Sequence, residues 1–201
     1  MTSVLRVKDI EVMLVSLPEF VPGFQFDIRY ARLDNFCKKI VYPSAHAFLL
    51  SHVAQDLKAV HEELIPQGYG LLIFDAYRPW SVSKIFWDLS NEHDRQFLAD
   101  PAKGSTHNRG CAVDLSLYDL KSGAAVAMPS DFDEMNERAY VAYPGGDEKS
   151  RALRDLLQKT MKSHSFTGIK NEWWHFNHQS QNDWPVMDFT FTEILAVAKN
   201  D

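Results

Sequence analysis

Cysteine is scarce in this chain of 201 residues: only Cys37 and Cys111 occur. Two thiols exclude a multi-bridge disulfide scaffold and a cysteine-rich zinc knuckle, and a reducing compartment is the simpler expectation. Clustered basic charge is missing as well. With 21 Lys and Arg against 27 Asp and Glu, the formal net charge is -6, and neutralising a nucleic acid takes grouped Lys and Arg that this chain lacks. No uninterrupted apolar run approaches the roughly 18 residues that suggest a membrane span. The N-terminus, Met1-Thr2-Ser3-Val4-Leu5-Arg6-Val7-Lys8-Asp9-Ile10-Glu11, lacks the charged-then-apolar order and small-residue cleavage site of a secretory signal. A cytoplasmic protein with neither nucleic acid nor membrane as partner is expected. Neither Gly-x-Gly-x-x-Gly after a strand nor Gly-x-x-x-x-Gly-Lys occurs, so dinucleotide and phosphate-loop readings have no foothold.

What is present suffices for one core. At 45% hydrophobic content the chain closes one sizeable domain, expected over residues 1–201, and shows no repeat or linker that would divide it. Ser44 to Ile65 carries Leu50, Val53, Leu57, Val60 and Leu64 at helical spacing between Pro43 and Pro66, which predicts a helix. Tyr69 to Ala76 reads as a buried strand that delivers Tyr77 and Arg78 to its end. Pro79 stops it, Ser81 is the expected cap, and Val82, Ile85, Phe86 and Leu89 mark a second helix. Cys111 to Tyr118 alternates as a strand with Asp114 facing away from the apolar side. Lys121-Ser122-Gly123 is a turn signal, which predicts a returning hairpin partner over Ala124 to Met128. Ser130 to Gly146 reads as a long functional loop, Glu148 to His164 as a third helix, Trp173 to Asn177 as a strand, and Thr192 to Lys199 as a terminal helix. Helices mixed with hairpin-joined strands predict an α+β fold with helices packed on a mainly antiparallel sheet.

Two distant segments, Ser105 to Asp114 and Glu172-Trp173-Trp174-His175, supply the parts of a metal centre and its proton-transfer base. Two imidazoles and one carboxylate hold Zn²⁺ while leaving a fourth position open, the catalytic pattern. Taken alone, either His107 or His175 would more often be structural, and Asp114 could cap a turn or pair with Arg109. Arg78 alone could equally be a salt bridge at a strand end. His46, His52, His61, His93 and His164 read as solvated or core-edge residues; His178, three residues after His175, stays open. Residues three apart on a regular strand face opposite ways, so Glu172 must lie in the preceding turn or at a bulge if it is to join His175. Trp173 and Trp174 read as core aromatics, one of which could wall a pocket. Cys111 reads as a buried thiol, not a ligand.

The pattern Ser105-x-His107-x-x-Gly110-x-Ala112-x-Asp114 with Glu172-x-x-His175 resembles the D-alanyl-D-alanine dipeptidase family, zinc peptidases related to the vancomycin-resistance dipeptidase. The resemblance extends to Asp27-Ile28-Arg29-Tyr30-Ala31, Asn35-Phe36, Asp75-Ala76-Tyr77-Arg78-Pro79 and Met128 to Asp133, so its landmarks cover most of the chain. It implies a hedgehog and DD-peptidase-like fold and one Zn²⁺ per chain bound by His107, Asp114 and His175. It further implies Glu172 as general base and acid, Arg78 as transition-state stabiliser and a small dipeptide as substrate. Asp133 matches the family position that could hold the substrate ammonium, and Ser105 and Tyr30 could add hydrogen bonds. Pro129, Ser130, Asp131 and Arg32 depart from the family pattern. Two other readings stand beside dipeptide hydrolysis: a carboxypeptidase trimming peptidoglycan stem peptides, and a non-catalytic zinc-bearing binding module. The sequence does not determine the oligomeric state.

Overall fold

A computed structural model describes residues 1–198. In chain order the elements are β1 (Thr2–Val7), β2 (Ile10–Ser16), a single-turn α1 (Leu17–Phe20), β3 (Gln25–Phe26), β4 (Phe48–Leu50), α2 (Ser51–Leu64), β5 (Tyr69–Asp75), α3 (Trp80–Leu89), β6 (Ala112–Asp119), α4 (Glu148–Ser163), β7 (Phe166–Ile169), β8 (Glu172–His178) and α5 (Phe191–Ala198). The strands form a three-stranded sheet, β1-β2-β4, and a five-stranded sheet, β3-β5-β6-β8-β7. Every pairing between strands is antiparallel except β3 with β5. The expected α+β arrangement on a mainly antiparallel sheet is therefore what forms.

The helices follow from their apolar spacing. Val53, Leu57, Val60 and Leu64 make the buried stripe of α2, which packs on β5, on β2 and β4 of the smaller sheet, and on α4. Leu153, Leu157 and Met161 do the same for α4, which lies across β6, β7 and β8 and starts where the Asp147 side chain accepts from Ser150 N–H at 2.9 Å. One hydrophobic core runs continuously between the two sheets and these helices.

Several boundaries differ from the pattern-based expectation, each for a tertiary reason. The first long helix starts at Ser51 rather than Ser44, because Phe48–Leu50 is drawn out as β4 to pair with β2, Leu14 opposite Leu50. His46 consequently lies outside any helix, as does His93. The β1–β2 hairpin was not legible: its two-residue turn, Lys8-Asp9, puts Lys8 at φ 55° without a glycine or asparagine to announce it. Ser81 is not the cap of α3; its backbone N–H is inside the first turn and donates to Asp188 Oδ1 at 2.7 Å, an acceptor from the far end of the chain. Ile85 and Leu89, assigned to the buried face of that helix, are 40% and 42% exposed. The partner expected over Ala124 to Met128 shrinks to a single bridge between Tyr118 and Ala125. The terminal helix runs from Phe191 to Ala198, and Lys199 lies outside the described residues. Among the described residues no helix is long and apolar enough to cross a membrane.

Candidate metal centre

Three adjacent strands carry the site. Asp114 on β6 stands directly opposite His175 on β8 and Asp75 on β5, so alternation aims all three at one face of the sheet. Val113 and Phe176, next in the same ladder, are fully buried in the core on the other face. His107 comes from the loop before β6, where a short 3₁₀ turn, His107–Arg109, ends at Gly110 with φ 67°. A side chain there would be strained, so Gly110 is what allows the loop to bring His107 back over Asp114.

His107 Nε2 lies 3.1 Å from His175 Nδ1 and 3.3 Å from Asp114 Oδ2, and His175 Nδ1 lies 3.0 Å from Asp114 Oδ1. Among the described residues this is the one group of His, Cys, Asp and Glu side chains whose ligand atoms converge, all within 4.8 Å. The donor set fits a metal. Atoms bound to a tetrahedral zinc at 2.0–2.1 Å stand about 3.3 Å from one another, close to the separation of the two ring nitrogens and to the distance of each from one oxygen of Asp114. The rings are also oriented for it: His107 Nδ1 donates to the Ala76 carbonyl at 2.7 Å, leaving Nε2 as an acceptor, and His175 Nε2 faces Asn177 Oδ1 at 2.9 Å, leaving Nδ1 to the centre. Asp114 does not pair with Arg109, whose guanidinium donates to the Trp184 carbonyl.

Electrostatics at the centre favour charge. Burial works against ionised Asp114, but His107 and His175 beside it hold the carboxyl well below its usual range. Burial pulls His175 down, and its bond to Asp114 with the nearby carboxylates more than reverses this, raising it to about 9. A cation here competes with one proton on His175.

Glu172 and Arg78 flank the centre. Glu172 Oε2 is 3.8 Å from His175 Nδ1. Of the two expected alternatives, a preceding turn or a bulge, the bulge is what makes this possible: on β7, Gly168 pairs with Phe176 and the next residue, Ile169, pairs with Glu172, so one step on β7 spans four on β8. Burial pushes the Glu172 carboxyl up to about 7. Arg78 follows β5; its Nε and Nη2 donate to Asp75 Oδ2 at 2.9 and 2.7 Å, and Nη2 stands 3.7 Å from Asp114 Oδ2. The strand-end salt bridge that the sequence allowed is thus present, and the guanidinium lines the cavity as well. Its carbon sits 4.8 Å from the Phe86 ring centroid and 5.4 Å from that of Tyr30, faces that favour a cation.

The cavity has a volume of about 360 Å³ and reaches Tyr30, Ser105 and Asp133 along with the centre. Tyr30 O–H donates to Asp133 Oδ2 at 2.9 Å, and burial followed by the charge of Asp114 raises Asp133 well above a usual carboxylate. Ser105 Oγ accepts from His107 N–H at 3.2 Å. Trp174 lines the cavity, whereas Trp173 is buried and donates to Ser130 Oγ at 2.9 Å. His178 lies on the other face of β8, bonded to Asp56 at 3.0 Å, and takes no part.

Two contributors escaped the sequence reading. Asn177 could have been found from its position two residues after His175 on one strand, which places both on the same face. Asn108 gave no signal. Fully buried, its side chain accepts from Ser105 N–H at 2.8 Å and donates to the Arg78 carbonyl at 2.8 Å and to Ser83 Oγ at 2.9 Å, and so ties the His107 turn to the Arg78 segment.

Two imidazoles and a carboxylate, with a buried acid and an arginine sharing their cavity on an α+β scaffold, define the class as a metal-dependent hydrolase. The chain belongs to the D-Ala-D-Ala dipeptidase family, whose model matches residues 10–195. It is 32% identical over 183 residues to a D-alanyl-D-alanine dipeptidase of Escherichia coli K12, covering 91% of this chain and 93% of that one. It is 34% identical over 184 residues to a D-alanyl-D-alanine dipeptidase of Enterococcus faecium, covering 83% of this chain and 91% of the relative. A solved vancomycin-resistance D,D-dipeptidase aligns with 98% of this chain and 76% of its own at a TM-score of 0.46 and 17% identity.

Proposed function

We propose that this chain, acting as one domain, hydrolyses D-alanyl-D-alanine to two molecules of D-alanine at a single zinc ion held by His107 Nε2, His175 Nδ1 and Asp114. The observation that carries this reading is the convergence of those three ligand atoms within 4.8 Å, with Glu172 3.8 Å from His175 in the same cavity. When bound, zinc would polarise the peptide carbonyl and acidify a water.

The remaining work falls to the chain's own side chains. Glu172, raised to about 7 by burial, is poised near neutral pH to take a proton from the attacking water and return it to the leaving amine. Arg78, held in a fixed orientation by Asp75, places positive charge beside the developing oxyanion. Asp133 meets the substrate ammonium, whose charge offsets the cost of ionising a buried carboxyl. Tyr30 fixes Asp133 through its hydroxyl, and Ser105 offers a hydrogen bond at the cavity wall.

Alanine release from D-Ala-D-Ala, beside L-Ala-L-Ala and N-acetyl-D-Ala-D-Ala and with a chelator control, tests the proposal. Chelator-sensitive cleavage of the free D,D-dipeptide alone supports it. Equal cleavage of the acetylated substrate would mean a carboxypeptidase of peptidoglycan stem peptides, and zinc bound without cleavage of any would mean a binding module.

A further inference from the structure

Asn177 follows His175 by two positions on β8 and lines the same cavity. Its Oδ1 lies 2.9 Å from His175 Nε2. A neutral imidazole carries one proton, and only the ring protonated at Nε2 offers a lone pair at Nδ1. Nδ1 is the nitrogen turned towards Asp114, at 3.0 Å, and His107, at 3.1 Å. An acceptor at Nε2 therefore selects the tautomer and the ring rotation that point Nδ1 into the centre.

The two histidines are oriented in complementary ways. The Ala76 carbonyl accepts from His107 Nδ1 at 2.7 Å and frees Nε2, while an amide oxygen at Nε2 of the second ring frees Nδ1. The first acceptor is backbone and is fixed by the course of the chain after β5. The second is a side chain, so its contribution can be removed without moving the strand.

We infer that Asn177 is a positioning residue for the metal centre: its amide oxygen holds His175 in the tautomer that presents Nδ1 to the cation. This rests on the metal site proposed above. The Oδ1 acceptor strengthens the imidazole as a donor without adding charge to a cavity that already holds Asp114, Asp133 and Glu172.

The test is zinc affinity, measured by competition with a chromophoric chelator, for the wild-type chain, Asn177→Val and Asn177→Asp. Valine keeps strand propensity and similar volume but has no acceptor, and it is expected to weaken zinc binding by roughly 10- to 100-fold. Aspartate keeps the acceptor and is expected to bind zinc at least as tightly as the wild type. Unchanged affinity in Asn177→Val overturns the inference, and so does an Asn177→Asp chain that binds zinc more weakly than the wild type, which remains readable if the valine chain does not fold. A wild-type chain that takes up no zinc overturns the metal reading itself, an outcome distinct from either.

Discussion

Glu172 Oε2 stands 3.8 Å from His175 Nδ1 although the two are three residues apart on β8. Regular pleating would send them to opposite faces. The bulge opposite Gly168 and Ile169 absorbs the mismatch, and it leaves the Glu172 carboxylate beside the converging His107, Asp114 and His175 side chains.

Removing that group separates chemistry from metal binding. Glu172→Ala is expected to retain zinc, by atomic absorption on the purified protein, and to lose roughly 10²- to 10⁴-fold in kcat. His107→Ala is expected to lose zinc first. An active Glu172→Ala enzyme would overturn the mechanism.

Arg78 presents a different contrast, because its guanidinium binds Asp75 through two nitrogens. Lysine keeps the charge and loses the fork. Arg78→Lys is expected to lower kcat by about 10²- to 10³-fold with the zinc content unchanged, measured by steady-state kinetics on D-Ala-D-Ala.

Asn108 makes three buried side-chain hydrogen bonds, one within the His107 turn to Ser105 N–H and two across to the Arg78 carbonyl and Ser83 Oγ. Alanine there leaves backbone and hydroxyl groups without their partner, at about 1–3 kcal/mol for each group left unsatisfied. Urea unfolding of Asn108→Ala is expected to show a lowered midpoint with an unchanged slope.

His61 supplies a pH dependence remote from the centre. It is buried on α2, and its Nδ1 accepts from Leu71 N–H at 3.2 Å, a bond that protonation of Nδ1 would abolish. Burial lowers its pKa below the ordinary 6.5. The unfolded chain therefore binds the proton more readily, and His61's contribution is fully present above about pH 6.5 and is lost as pH falls. Unfolding free energies at pH 7.5, 6.5 and 5.5 are expected to fall less steeply with acidity in His61→Gln than in the wild type (pH values about those of an ordinary imidazole titration).

The two thiols should differ in reactivity. Burial pushes Cys111 up to about 12, while Cys37, half-buried, is also raised by burial but keeps part of its surface open to solvent. Native protein treated with a thiol reagent at mildly alkaline pH is expected to modify Cys111 only after denaturation, which peptide mass mapping would show.

The residues proposed to carry chemistry could be picked out because their types and spacings are local. His107, Gly110 and Asp114 sit in one segment, Glu172 and His175 in another, and Arg78 follows an apolar run that ends in Asp75. Alternation on β6 correctly turned Asp114 away from the core, and the conflict between strand pleating and the Glu172–His175 spacing called for either a preceding turn or a bulge, of which the fold uses the bulge. The apolar stripes of α2 and α4 were equally plain, since helical periodicity is written within a few turns.

Only the folded chain decided how those segments meet. Pairing with β2 converted Phe48–Leu50 from expected helix to strand, and Asp188 rather than Ser81 met the first turn of α3. Asn177 and Asn108 make hydrogen bonds to partners whose positions depend on strand register and loop closure. Periodicity and residue chemistry are short-range properties and are carried by the sequence itself; strand register, ring tautomer and the joining of distant loops are set by contacts between segments that the linear order leaves far apart.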